Sequence, residues 1–194
     1  MEGHEIRRTV IRARNRLTAT QLKKKSSAVI SNLERVDEFH SCRTVMFYAH
    51  FRSEVQTMKA VEKCLALGKR VALPLTVSAE NRLYPYLVED PARDLKSGYC
   101  SIPEPDPAIA RLLAPEDIGV VVVPGSVFDA SGGRFGYGGG FYDRFLANDA
   151  PQAFRIGLAF ELQVVTEALP LAGHDQRMDC LVTEKNIFRI DRRR

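Results

Sequence analysis

The sequence predicts an α/β protein: a mainly parallel sheet flanked by helices. Three observations carry this. Residues 44–48 and 70–73 read as buried strands, and between them 56–67 has the apolar period of an amphipathic helix ended by Gly68. That strand–helix–strand unit is what builds parallel sheets. The run 118–123 is the most apolar in the chain and reads as a central strand, with 155–160 and 179–183 as further buried strands.

The remaining elements follow in order. Residues 6–16 form a short basic helix. Thr18-Ala19-Thr20-Gln21 fits a capping box and starts a second helix, with Leu22, Ser26, Val29, Leu33 and Val36 on one face. Pro74 stops the 70–73 strand. Residues 83–87 alternate and contain Pro85, which suits an edge strand. Residues 91–107 are loop-rich, and Ile102-Pro103-Glu104-Pro105 is too constrained for regular structure. Pro124-Gly125 ends the central strand, 126–133 leads onward, and 141–147 is a helix. Residues 169–176 form a loop, and 186–190 pair at an edge. The loops after Tyr48, Val123 and Phe160 all leave strand ends, where open parallel sheets hold ligands.

Composition limits the function. The 194 residues suffice for one domain spanning 1–194, with an N-terminal helical segment. Of the net charge of +4, three charges sit in Arg192-Arg193-Arg194, so the body is near balance and no nucleic-acid partner is expected. No long apolar run predicts a membrane span, and the charged N-terminus lacks a signal-peptide core. Cys42, Cys64, Cys100 and Cys180 are scattered and read as reduced thiols of a cytoplasmic protein, not a disulfide frame or zinc site.

The chemistry concentrates in Arg134-Phe135-Gly136-Tyr137-Gly138-Gly139-Gly140-Phe141-Tyr142-Asp143-Arg144. Glycines at this density leave backbone N–H groups free to cradle anionic oxygens, and the helix behind adds a positive end. Arg134 and Arg144 supply forks suited to phosphate. Asp143 would repel such a ligand, unless a divalent cation lies between them. A plain surface loop remains the alternative. No Gly-Lys-Ser/Thr follows, so this is not a P-loop, and the spacing is not that of a dinucleotide fingerprint. His174-Asp175 reads first as the polarity of a surface loop, with a catalytic pair or a metal ligand as the alternatives. Glu54 is either functional or a first-turn carboxylate, and Tyr48 and Phe51 either stack on a flat ring or pack the core.

This run, together with Val123-Pro124-Gly125-Ser126-Val127-Phe128-Asp129 before it, resembles the signature of the 5-formyltetrahydrofolate cyclo-ligases, also called 5,10-methenyltetrahydrofolate synthetases. Glu54-Val55-Gln56-Thr57, the 68–74 segment, Ile102-Pro103-Glu104-Pro105 and His174-Asp175 extend the resemblance over nearly the whole chain. The resemblance implies the fold of ribose-5-phosphate isomerases and CoA transferases. It implies ATP-dependent cyclisation of 5-formyltetrahydrofolate to 5,10-methenyltetrahydrofolate, with Mg²⁺, by a cytoplasmic monomer and without a protein nucleophile. Arg7, Arg134, Phe135, Gly136, Tyr137, Gly138, Gly139, Gly140, Phe141 and Tyr142 match its ATP positions. Ala49, Glu54, Tyr137, Gly138, Gly139, Gly140 and Phe141 match its folate positions, and Asp143 and Asp175 its Mg²⁺ carboxylates. The chain departs from the family at Gly3, where a lysine is usual, at Leu75, where many relatives are basic, and at Phe141, usually tyrosine. The alternative implied by Gly3 and Leu75 is a folate- or nucleotide-binding relative with weak or no ligase activity.

Overall fold

Residues 3–98 and 101–191 are described by a computed structural model. Cys100 and the terminal arginines lie outside them. The frame is a seven-stranded sheet in the order β12-β11-β9-β6-β1-β2-β3. Its strands are β1 (Thr44–Met46), β2 (Arg70–Val77), β3 (Arg82–Val88), β6 (Val120–Val123), β9 (Phe154–Leu158), β11 (Cys180–Val182) and β12 (Ile187–Arg189). The five inner strands run parallel, while β3 and β12 are antiparallel edges. β6 is central and buried throughout, as its valine run requires.

Alternate residues face opposite layers because the strand period is two. Val45, Val71, Val120 and Val122 meet α2 (Ala19–Leu33) and α4 (Met58–Ala66), through Val29, Leu33, Val61 and Cys64. Met46, Ala72, Val121 and Val123 meet Phe128, Phe145 and Leu146 on the other face. The capping box of α2 is formed: the Thr18 oxygen accepts from Gln21 N at 3.2 Å, and the Gln21 side chain accepts from Thr18 N at 2.9 Å.

Two expectations need correcting. Pro74 does not stop β2. It pairs with Pro85 of β3. Pro85 O accepts from Leu113 N at 2.8 Å on the far side, so the backbone there points away from β2 and the proline pair costs no ladder bond. Pro103–Pro105 is also regular. It forms β5, antiparallel to β4 (Leu95–Ser97), after the short α5 (Pro91–Asp94).

The segment 126–133 holds structure that alternation does not reveal. β7 (Val127–Asp129), β8 (Arg134–Phe135) and β10 (Val164–Val165) make a second sheet in the order β10-β7-β8. Asp129 ties its turn: it accepts from Ser131 N at 2.7 Å, Gly133 N at 3.0 Å and Leu169 N at 2.8 Å. Burial alone would push this carboxyl up, but the bonds from Leu169, Ser131 and Gly133 together hold it below its ordinary value. α1 (Gly3–Asn15) lies against this small sheet, with Val10 packed on Val127, Phe135 and Leu169.

The small sheet is joined to the large one through the fully buried ring of Phe128. A Cβ on Gly125 would lie 2.5 Å from that ring, and one on Gly157 2.7 Å from it. Glycine at both positions lets the ring pass between backbones. Gly157→Ala is therefore expected to cost about 1–3 kcal/mol by overpacking, read as a lower midpoint in urea or thermal unfolding. Adding Phe128→Leu should recover part of the loss. An unchanged midpoint for the single variant would contradict this packing.

Candidate active site

The loop after β1 is pinned before it reaches solvent. Thr57 Oγ1 donates to Tyr48 O at 2.6 Å, and Tyr48 OH donates to Val55 O at 3.2 Å. This turns Glu54 inward, where it is 7% exposed. Glu54 Oε2 accepts from Phe51 N at 2.9 Å, and its carboxylate also bonds the Tyr137 hydroxyl. Burial pushes the Glu54 carboxyl up from its ordinary value. The Tyr137 bond, the Phe51 N–H and the nearby Arg14 charge only partly offset it. Burial also raises the phenols of Tyr48, Tyr137 and Tyr142, and the Glu54 charge adds to each.

The glycine run leaves β8 and crosses to α6 (Phe141–Arg144). Gly138 and Gly140 have φ of 102° and 64°, a region that side chains resist. The expected helix over 141–147 is only one α-turn, continuing as a π-helical stretch, Phe145–Asp149. So short a helix adds little dipole, and the attraction for anions falls to the arginines.

Two cavities flank the loop. The first, about 470 Å³, is lined by Arg14, Tyr48, Ala49, Phe51, Glu54, Tyr137, Phe141 and Tyr142. The second, about 500 Å³, is lined by Arg7, Phe135, Gly138, Arg144, Asp175 and Gln176. Arg134, Gly136, Gly139, Gly140 and Asp143 face both. Tyr137, Phe141 and Tyr142, matched above to ATP positions, lie on the first cavity and not the second. Gly138, matched to both ligands, lies on the second alone. The rings of Tyr137, Phe141 and Tyr142 turn to the side of Tyr48 and Phe51, while Phe135 and the side chains of Arg7 and Arg144 line the other.

Arg134 Nη2 donates to Asp143 Oδ1 at 2.8 Å, and Gln176 N donates to the same oxygen at 3.0 Å. Asp175 Oδ2 accepts from Ala172 N at 2.7 Å. His174 is exposed, with Nε2 3.7 Å from Asp175 Oδ1. The Nε atoms of Arg7 and Arg134 are buried without a hydrogen-bond partner. Orphaned guanidinium donors beside a cavity suit an anionic ligand. Two carboxylates on one cavity also suit Mg²⁺, which takes one or two protein carboxylates and fills its shell with phosphate and water. Among the described residues no group of three or more His, Cys, Asp or Glu is placed to hold a metal alone.

The 5-formyltetrahydrofolate cyclo-ligase family model matches residues 2–184. The chain belongs to that family. It is 31% identical to the 5-formyltetrahydrofolate cyclo-ligase of Escherichia coli K12, over 92% of this chain and 99% of the relative. It is 29% identical to that of Haemophilus influenzae, over 88% and 91%. The solved structure of Aquifex aeolicus 5,10-methenyltetrahydrofolate synthetase superposes with a TM-score of 0.86 at 34% identity, covering 100% of this chain and 95% of that one. A Mycoplasma pneumoniae 5,10-methenyltetrahydrofolate synthetase, 17% identical with a TM-score of 0.75, shares the fold.

The family's departures now have places. A Cβ on Gly3 would lie 2.9 Å from the Phe135 ring, so the helix start sits too close for a lysine without a shift. Pro74 and Thr76 line the first cavity, but Leu75 between them is on the opposite face of β2 and lines neither. Sequence reasoning missed Arg14, which is buried on the first cavity. Its signal was weak, one arginine among Arg7, Arg8, Arg12, Arg14 and Arg16.

A raised carboxyl makes Glu54 a stability cost when ionised. That cost is full above the raised folded value and vanishes below the ordinary 4.5. Glu54→Gln keeps an acceptor for the Phe51 N–H and removes the charge. It should unfold at a higher temperature than the parent near pH 7, with the advantage shrinking as pH falls toward 4.5. Thermal melts across that range check this; an advantage that grows on acidification would contradict the sign.

Proposed function

We propose that this protein uses ATP to close 5-formyltetrahydrofolate to 5,10-methenyltetrahydrofolate, releasing ADP and phosphate. The carrying observation is the pair of cavities with one glycine wall between them, the first lined by Tyr48, Phe51, Tyr137, Phe141 and Tyr142, the second by glycine backbone with Arg7 and Arg144. Transfer of a phosphoryl group between two substrates needs both held across one short gap, and little else from the protein.

In this reading the first cavity takes the folate. Tyr48, Phe141 and Tyr142 offer faces for its flat rings, and the buried Glu54 carboxylate accepts N–H bonds from the amino-pyrimidine edge. Ala49 closes the floor beside it. The second cavity takes the triphosphate, with Arg7, Arg134 and Arg144 as cations and Gly136, Gly138, Gly139 and Gly140 as the cradle beside Phe135. Asp143 and Asp175 would hold Mg²⁺, which when bound offsets phosphate charge. The formyl oxygen takes the γ-phosphoryl group as ADP leaves. N10 then attacks the activated carbon, and the C–O bond breaks to release phosphate as the ring closes. The protein aligns the groups and excludes water. Both cavities are lined from one chain, so a monomer suffices. The free thiols of Cys42, Cys64 and Cys180 support a reducing, cytoplasmic setting.

Gly3 favours a second reading, in which one phosphate-binding cation short of the family pattern leaves a folate- or nucleotide-binding protein with weak turnover. One assay separates the two. Purified protein with 5-formyltetrahydrofolate and MgATP should develop the near-ultraviolet absorbance of the methenyl product, strictly dependent on ATP. Tight folate binding without product would favour the second reading, and neither binding nor product would reject both. Asp143→Asn should lower turnover about tenfold or more and raise the Mg²⁺ requirement, since a charge-assisted contact contributes about 1.5–3 kcal/mol. An unchanged Mg²⁺ dependence would remove Asp143 from that role.

A further inference from the structure

α1 carries two arginines that end on different cavities. Arg7 and Arg14 are two helical turns apart, so they share a face. Arg7 lies 5.4 Å from the centre of the Phe135 ring and lines the second cavity. Arg14, 4% exposed, lines the first. Its guanidinium reaches three other segments. Nε donates to Ser53 Oγ at 3.0 Å, in the loop after β1. Nη1 donates to Gly125 O at 3.3 Å, just beyond β6, and to the Tyr137 hydroxyl at 2.9 Å, in the glycine run. Ser53 in turn donates to Asn15, the neighbour of Arg14 on α1.

The direction of these bonds matters. A guanidinium only donates. The Tyr137 oxygen therefore accepts from Arg14, and its own proton is free for Glu54, with which it is hydrogen-bonded. The Tyr137 residue is 52% exposed, so packing alone does not hold its ring. Its hydroxyl is the anchor, buried between Arg14 and Glu54.

We propose that Arg14 is a positioning residue for the formyl-folate: it fixes the Tyr137 hydroxyl and, through it, aims the Glu54 carboxylate into the cavity. This rests on the reading of that cavity as the folate site. None of the three hydrogen-bond partners of Arg14 lines the second cavity, so its effect falls chiefly on one substrate. Lysine keeps the charge but has no planar fork, and cannot span Ser53, Gly125 and Tyr137 together. The same helix face sets Arg7 toward the triphosphate, so docking of α1 on the small sheet prepares both cavities at once.

The test uses the full chain with Arg14→Gln, Arg14→Lys, Tyr137→Phe and the double variant Arg14→Gln/Tyr137→Phe. Calorimetry gives the Kd for 5-formyltetrahydrofolate, steady-state assays give KM for each substrate and kcat, and melts report folding. Arg14→Gln and Tyr137→Phe should each raise the folate Kd and KM about tenfold, the effect of losing one charge-assisted bond. The ATP KM should move less than about twofold, and Arg14→Lys should recover little. The double variant should be worse than either single by less than about twofold, because both remove one connected contact.

Proportionate changes in both KM values and kcat with a lower melting point would overturn the proposal, leaving Arg14 a plain structural residue. So would a fully additive double variant, or an unchanged folate Kd. Should Arg14→Gln fail to fold, Arg14→Lys still decides, since it keeps the charge and removes the fork, and an unchanged folate Kd in it would overturn the proposal. Wild-type protein that does not bind 5-formyltetrahydrofolate would overturn this inference together with the proposed function. Wild-type binding matched by Arg14→Gln would overturn this inference alone.

Discussion

The ion pair between Arg134 and Asp143 closes the glycine loop. Arg134 is the last-but-one residue before the run and Asp143 lies one turn after it, so their 2.8 Å contact staples the two ends together. The side chains are 3% and 14% exposed, which keeps water from competing for the bond. Without such a staple, Gly136, Gly138, Gly139 and Gly140 would sample many backbone states, and ordering them on ligand binding would cost affinity. Breaking a buried pair by removing one partner typically costs about 3–5 kcal/mol. Gln176 N, bonded to the same Asp143 oxygen, extends the staple to the 169–176 loop and brings Asp175 to the second cavity.

The large sheet positions this staple through strand ends. β1 delivers Tyr48 and the loop of Glu54, and β6 delivers Pro124, whose carbonyl accepts from Arg134 Nη1 at 3.4 Å. β9 contributes from behind: Gln163, past its end, donates to Gly125 O at 3.0 Å and Ser126 O at 3.2 Å. All three expected loops thus meet around the turn after β6. The third supports the site without facing either cavity.

Long, regular features were legible in the sequence because their physics is local. The valine run of β6, the helical period of α2 and the Thr18 capping box each report a bond pattern within a few residues. The small sheet was not legible. Arg134–Phe135 and Val164–Val165 are too short to show alternation, and their pairing partners are distant in sequence. β5 was hidden for a different reason, since prolines on both sides of Glu104 argue against a strand unless the partner asks for few ladder bonds. At the site, the glycine run and its flanking charges were legible by type. Which cavity each residue faces was not, because the aromatic and backbone sides separate only when the loop is folded. Arg14 was invisible because burial, not identity, distinguishes it from the other arginines of its helix.

Charge balance bears on the absence of a lysine at Gly3 in the proposed reaction. The second cavity holds Arg7, Arg134 and Arg144 against Asp143 and Asp175, a formal surplus of one positive charge from three cations and two carboxylates. A triphosphate brings more negative charge than that surplus, so the two carboxylates are useful only if a divalent cation enters with it. Once it does, the carboxylates stop opposing the nucleotide, and the cations they had offset become available to it. In the proposed reaction Arg134 keeps Asp143 through Nη2 and would offer phosphate its orphaned Nε. Gly3, meanwhile, sets α1 tight against Phe135, which fixes Arg7 on one cavity and Arg14 on the other. A flexible lysine would add reach at that point, whereas close packing adds placement, and it is placement that Arg7 and the buried Arg14 depend on.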